Sequence, residues 1–248
     1  MRVIARLDIK GPNVVKTVQT EGLRVVGEPA ELAERYYVQG ADELIYLDIV
    51  ASLYRRNLDF EQLKRASAEV FVPLTVGGGI RSLHDIALAL GAGADKVAIN
   101  TYAVHNPTFL KEAAEMFGSQ CIVLSVEAKK ISDKKWEVYT DGGRETTGKD
   151  VVEWVGQALQ MGVGEILLTS VDKDGTKEGY DMELLSAVST ISPVPVIIHG
   201  GAGSADDVVR AAKKGADAVS VSSILHYDLA TIPDIKNALA AEHISVRI

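Results

Sequence analysis

The sequence predicts a parallel α/β fold closed into a (β/α)8 TIM barrel and built from two duplicated half-barrels. Three observations carry this. Short β-branched runs alternate with longer stretches of helical periodicity through the whole chain, eight of each. The 248-residue length suits one such barrel. The sequence also repeats itself at roughly half its length.

Taken in order, the strand candidates are residues 3–7, 44–49, 72–76, 96–99, 122–126, 166–170, 194–198 and 218–221. Each is a continuous apolar run rather than an alternating one, as expected of parallel strands covered on both faces. The helical patterns between them fall at 30–39, 59–70, 82–90, 107–117, 149–161, 182–191, 205–213 and 232–241. No linker interrupts the eight units, so residues 1–248 read as a single barrel domain.

Val72-Pro73-Leu74-Thr75-Val76 lines up with Val194-Pro195-Val196-Ile197-Ile198, an offset of 122 (194 − 72). The same offset maps Ala94-Asp95 onto Ala216-Asp217 and Glu43-Leu44-Ile45 onto Glu165-Ile166-Leu167. An offset of 119 (127 − 8) maps Leu7-Asp8-Ile9-Lys10 onto Val126-Glu127-Ala128-Lys129. These matches divide the chain into half-barrels at about 1–120 and 121–248.

Hydrophobic residues at 47% and charged residues at 24% exclude wholesale disorder. A net charge of −8 argues against nucleic-acid binding through a basic surface. The single cysteine, Cys121, allows no intramolecular disulfide and suits a reducing compartment. Neither a signal-peptide core nor a run of ~18 apolar residues occurs, so a cytoplasmic protein with no membrane partner is expected.

Loops after barrel strands form the active face, so a residue that ends a strand is a functional candidate. The repeat puts Asp8 after the first strand and Glu127 after the fifth, opposite each other across the mouth. Two acids so placed suit a general acid and a general base working on one substrate. Glycines are paired in the same way: Gly77-Gly78-Gly79 follows strand three and Gly200-Gly201-Ala202-Gly203 follows strand seven. Glycine permits close backbone approach, and amides there can cradle phosphate. The next strands end in Asn100-Thr101 and Ser222-Ser223, further donors at neighbouring positions. Two such clusters half a barrel apart predict a substrate with a phosphate at each end.

After strand six comes Thr169-Ser170-Val171-Asp172-Lys173-Asp174-Gly175-Thr176, whose acids and hydroxyls either orient substrate or fold the loop through Asx turns. Asp48, after strand two, carries the same two readings. The five histidines lack metal-ligand spacing, although His199 stands next to the second glycine segment. No metal or cofactor is expected. Neither a Gly-x-Ser-x-Gly elbow nor a Walker loop is present, which leaves serine chemistry and P-loop hydrolysis without support.

These motifs resemble HisF, the cyclase subunit of imidazole glycerol phosphate synthase, over essentially the whole chain. The matching stretches include Leu7-Asp8-Ile9-Lys10, Asp42-Glu43-Leu44, Thr75-Val76-Gly77-Gly78-Gly79-Ile80, Phe117-Gly118-Ser119-Gln120, Gly164-Glu165-Ile166-Leu167-Leu168-Thr169-Ser170 and Asp174-Gly175-Thr176 with Gly179-Tyr180-Asp181. The resemblance implies a HisH-like glutaminase partner whose ammonia passes through the barrel to a bis-phosphorylated ribulosyl formimino aminoimidazole carboxamide. Cyclisation and C–N cleavage then give imidazole glycerol phosphate and the aminoimidazole carboxamide ribotide. The family's acid/base pair falls on Asp8 and Glu127. Its substrate and phosphate contacts fall on Lys16, Asp48, Gly78, Gly79, Asn100, Thr101, Ser170, Asp172, Asp174, Gly175, Thr176, Gly200, Gly201, Gly203, Ser222 and Ser223. Its charged gate for ammonia falls on Arg2, Glu43, Lys96 and Glu165.

Two positions depart from the family pattern: HisF has aspartate in place of Glu127 and usually cysteine in place of Arg6. With Asp48-Ile49-Val50-Ala51-Ser52-Leu53-Tyr54-Arg55-Arg56-Asn57, they resemble HisF paralogues of surface-glycan pathways, which use channelled ammonia to turn an acetamido sugar into an acetamidino sugar. Strand alternation that points Arg6 inward would crowd the ammonia route. Further alternatives are the related ribonucleotide sugar isomerase, which needs no glutaminase, and a non-catalytic barrel that only activates its partner.

Overall fold

The computed structural model describes residues 1–247. The chain opens with β1 (Arg2–Lys10), which runs on into the antiparallel β2 (Asn13–Val18) and β3 (Glu21–Gly27) before α1 (Pro29–Val38). Then come β4 (Glu43–Asp48), α2 (Phe60–Ser67), β5 (Leu74–Gly77), α3 (Leu83–Gly91), β6 (Lys96–Ile99), α4 (Thr101–His105) and α5 (Thr108–Phe117). The second half follows the same plan. A long β7 (Ile122–Ser132) continues into antiparallel β8 (Lys135–Thr140) and β9 (Glu145–Asp150), followed by α6 (Val151–Gln160). The last units are β10 (Glu165–Ser170), α7 (Met182–Ser189), β11 (Val196–His199), α8 (Ala205–Lys213), β12 (Ala218–Val221), α9 (Ser223–His226) and α10 (Ile232–Ala241).

The strands β1, β4, β5, β6, β7, β10, β11 and β12 pair in that order, all parallel, and β12 closes the ring on β1. All eight match the runs the sequence marks, and the eight expected helices lie between them. The barrel is therefore the (β/α)8 fold. The sequence reading omitted the two hairpin extensions and the short helices α4 and α9. It also began one helix at 149, whereas Asp150 still pairs with Glu137 of β8 and α6 starts at Val151.

Strand alternation divides the core. Val3, Ala5, Leu7 and Ile9 of β1 face the helices in the large outer cluster. Ile4 faces inward with Ile45, Leu47, Ala98, Val123, Leu167, Ile197 and Ala218, which fill the barrel. Arg6 and Asp8 occupy the next inward positions along β1.

The repeated Ala-Asp pairs now have a physical role. Asp95 accepts the backbone N–H of Leu74 at 2.8 Å and Asp217 that of Val196 at 2.9 Å, so each latches the start of the preceding barrel strand. Helix starts are also repeated. Ser82 caps α3 by accepting from the N–H of Asp85, and Ser204 caps α8 by accepting from that of Asp207. Each cap is worth about 1 kcal/mol and fixes how the chain leaves a glycine segment.

Candidate active site

Asp8 and Glu127 stand on opposite strands at the C-terminal mouth, in β1 and β7. Asp8 is buried, and its Oδ1 accepts from Arg6 Nε at 2.7 Å, with Lys16 Nζ at 3.5 Å from Oδ2. Burial alone would raise this carboxyl, but Arg6 and then Lys16 outweigh it and hold it below the ordinary range. The half-buried Glu127 has no ion pair of that kind among the described residues. Its Oε2 accepts from Asn100 Nδ2 at 2.9 Å and from the Gly143 N–H at 2.8 Å. Desolvation dominates there and pushes its pKa up to about 7. Asp8 thus stays a carboxylate at neutral pH, while Glu127 can hold or release a proton.

Lys16 reaches this site from β2. Its ammonium, 2% exposed as a residue, donates to Asp174 Oδ1 at 2.7 Å, and Thr17 donates to Asp174 Oδ2 at 3.0 Å. Charges as buried as these persist only when paired. His199 Nε2 lies 3.4 Å from Asp174 Oδ1 without hydrogen-bond geometry, while Nδ1 contacts Ser220 Oγ at 3.1 Å. Burial and then the nearby Arg6 charge lower the His199 pKa, so it is neutral. The second half-barrel's mouth is thus braced by a Lys16–Asp174–His199 cluster.

The glycine segments pack as the repeat requires. Gly78 has φ +99°, and a Cβ on it would lie 2.2 Å from Asp48 O. Gly201 has φ +108°, and a Cβ there would meet Gly179 O at 2.2 Å. Gly79 lies against the backbone at Arg56, Gly200 against that at Ser170, Gly175 against Thr17 and Gly203 against Lys177. Beside the first segment, Asn100 leads into α4 with φ −119°, ψ −90°. Beside the second, Ser222 leads into α9 with nearly the same angles, φ −139°, ψ −74°. Asn100 Oδ1, Ser170 Oγ and Ser223 Oγ are buried with no partner among the described residues. Native proteins rarely leave such atoms unpaired, and these three leave polar capacity open around the mouth. Gly79, Asn100 and Thr101 line a cavity of about 550 Å³ that also takes in Arg55, Arg81 and His105. Gly175, Gly200, Gly201, Ser222 and Ser223 enclose a much smaller one in the other half.

The remaining sequence candidates divide. Asp48 accepts from Arg56 Nη2 at 2.6 Å and from the Val50 N–H at 3.2 Å, at the floor of the first half. Asp172 turns outward: its Oδ2 accepts from the Lys130 N–H at 2.7 Å, and it lines an open groove of about 630 Å³ with Lys130 and Glu183, away from the mouth. Thr176 Oγ1 donates to Lys173 O at 2.9 Å, which folds the loop. No group of three or more potential ligands is arranged to hold a metal among the described residues. No helix among them is long and apolar enough to cross a membrane.

At the opposite end of the barrel, Arg2, Glu43, Lys96 and Glu165 form a closed ring. Arg2 bridges Glu43 at 2.5 Å and Glu165 at 2.6 Å, and Lys96 bridges the same carboxylates at 2.9 and 2.7 Å. Each charge has two opposite neighbours, which offsets the cost of placing four ions at the barrel floor.

Sequence reasoning missed how Lys16 and Gly143 reach the site, because both ride on the hairpin extensions. The signal was available for the first: two β-prone runs flank the turn at Gln19-Thr20. It also missed the His199–Asp174 contact.

The chain matches the family of histidine biosynthesis proteins over residues 2–231. It is 57% identical over 207 residues to the imidazole glycerol phosphate synthase subunit HisF of Legionella pneumophila, covering 84% of this chain and 98% of that one. The HisF of Helicobacter hepaticus is 48% identical over 247 residues, with 100% and 98% covered. That of Streptococcus sanguinis is 47% identical over 248 residues, with the same coverage. With the ring, the paired carboxylates and the paired glycine segments in place, this chain belongs to the histidine biosynthesis family, among its HisF subunits.

Proposed function

We propose that the protein is the ammonia-using cyclase subunit of an imidazole glycerol phosphate synthase. It takes ammonia from a HisH-like glutaminase and converts the bis-phosphorylated ribulosyl formimino aminoimidazole carboxamide into imidazole glycerol phosphate and the aminoimidazole carboxamide ribotide. The observation that carries this is the pair Asp8 and Glu127, opposed in protonation and set between two matching glycine cradles. The cradles hold one phosphate each, which stretches the substrate across the mouth and places its middle between the acids. Asp8, kept ionised, is the base; Glu127 brings the proton. The glutaminase docks at the Arg2–Glu43–Lys96–Glu165 end, from which ammonia enters.

A second reading rests on Arg6. Its guanidinium stands inside the barrel between the charged ring and the mouth and is bonded to Asp8. That arrangement, with Glu127, favours a paralogue that converts an acetamido sugar to an acetamidino sugar with the same ammonia. Purified protein, the ribulosyl substrate and a high concentration of ammonium at alkaline pH decide between them. Turnover of ~1 s⁻¹ or more supports the cyclase. Folded but inactive protein that amidinates an acetamido sugar supports the second reading.

A further inference from the structure

Arg6 lies deep in the barrel, 7% exposed, with a charge that no apolar neighbour requires. Its Nε donates to Asp8 and its Nη1 to Thr169 Oγ1 at 3.1 Å, a residue 163 positions away on β10. Thr169 is the register partner of Glu127, so the guanidinium spans the space between the two carboxylates. A guanidinium has five N–H donors, and these two bonds leave most of them free. Arg6 also lines both small cavities that flank Glu127, of about 30 and 60 Å³. A substrate atom entering either one meets a fixed cation and an acid together.

We propose that Arg6 is a catalytic residue that donates hydrogen bonds to the carbonyl oxygen of the group attacked by ammonia. This deepens the first reading above and rests on it, since the cyclase reaction begins with ammonia adding to the ketone carbonyl carbon of the ribulosyl group. As the C–N bond forms, the C=O π electrons move onto oxygen, and Arg6 holds the developing negative charge. Asp8 takes a proton from the nitrogen adduct and Glu127 gives one to the oxygen. The C–O bond then breaks, two protons having passed in all from nitrogen to oxygen, and water leaves a C=N bond behind. A donor already fixed by Asp8 and Thr169 needs no reorganisation during the step, which is where such stabilisation is strongest.

Apart from Arg6, the groups facing Asp8 are Lys16 from β2, Asp174 from the loop after β10, His199 from β11, Glu127 from β7 and His226 from α9. Arg6 therefore also helps keep Asp8 ionised, and the test must separate that role from contact with substrate. The variants are Arg6→Leu and Arg6→Lys, assayed with ammonium chloride and the ribulosyl substrate, and with an acetamido sugar in parallel, across a pH series. Binding of inorganic phosphate serves as the check that the mouth is intact. The expected result is a fall of about 100-fold or more in the pH-independent kcat of Arg6→Leu, with KM little changed and Arg6→Lys in between. Two results overturn the proposal alone: an Arg6→Leu plateau within threefold of native, or a plateau kept while only the acid limb shifts. Native protein inactive on the ribulosyl substrate overturns it together with the reading on which it rests.

Discussion

Asp8 and Glu127 face each other across the barrel mouth with opposite protonation tendencies. Arg6 at 2.7 Å and Lys16 at 3.5 Å keep Asp8 ionised, whereas the desolvated Glu127 is pushed up to about 7. Among the described residues, cations pair directly with Asp8 and not with Glu127, and that difference sets the two matching acids apart in protonation.

The first prediction is a pH profile. If Glu127 delivers the proton, turnover corrected for the free ammonia concentration declines as pH rises through about 7. Asp8 keeps its role well into acid, because its pKa lies below the ordinary range. Glu127→Gln should remove the alkaline limb and lower kcat by about 10²-fold or more. A native profile flat from pH 6 to about 9 would take the proton donor away from Glu127.

The same shift has a stability cost. A carboxyl raised from 4.5 to about 7 keeps a proton in the folded state that the unfolded chain has already released. Stability therefore falls as pH rises from about 4.5 to 7, and the deficit remains above that. Glu127→Gln should be more stable than native by about 1–2 kcal/mol near pH 8 and gain little near pH 4, allowing for the half-buried site. Thermal melts of both proteins at the two pH values check this.

Asp8→Asn should abolish turnover and leave the barrel folded. Lys16 keeps Asp174 at 2.7 Å, but Arg6 loses its only direct carboxylate partner among the described residues. A drop of about 2–4 kcal/mol in stability is expected from that unpaired buried charge. In the double variant with Arg6→Leu, the lost stability should return and activity should not. Urea unfolding of the single and double variants measures the coupling.

Ser223 tests the ligand site directly. Its Oγ is buried and has no partner among the described residues, so Ser223→Ala removes an unsatisfied hydroxyl and should leave stability unchanged or slightly higher. Loss of that donor should weaken phosphate binding about tenfold. Titration of inorganic phosphate into native and variant protein is the measurement, and equal affinities would move the phosphate away from this hydroxyl.

The ring at the far end should separate the two nitrogen sources. Glu165→Gln removes the charge that bridges Arg2 and Lys96 yet lies far from the mouth. Turnover on ammonium should stay within about twofold, while glutamine-driven turnover in the complex should fall about tenfold or more. Equal losses with both sources would make the ring a purely structural closure.

The sequence by itself determined the barrel. Eight continuous apolar runs can be buried on both faces only by a parallel sheet with helices around it, and the repeated Ala-Asp pairs recur because each latches a neighbouring strand start. It also placed Asp8, Glu127, the glycine segments and the four ring charges, since a residue's position along a barrel strand decides which end it faces. Only the tertiary structure decided what those residues do to one another. Lys16 and Asp174 are 158 positions apart and Arg6 and Thr169 are 163 apart, so no local pattern records their contacts. Lys16 arrives on a hairpin whose β2 is mostly buried but whose β3 is largely exposed, so the pair lacks the apolar continuity that marks a barrel strand. The opposed protonation of Asp8 and Glu127 follows from which cations the closed ring brings within a few ångströms of each, and that distance exists only once the barrel has closed.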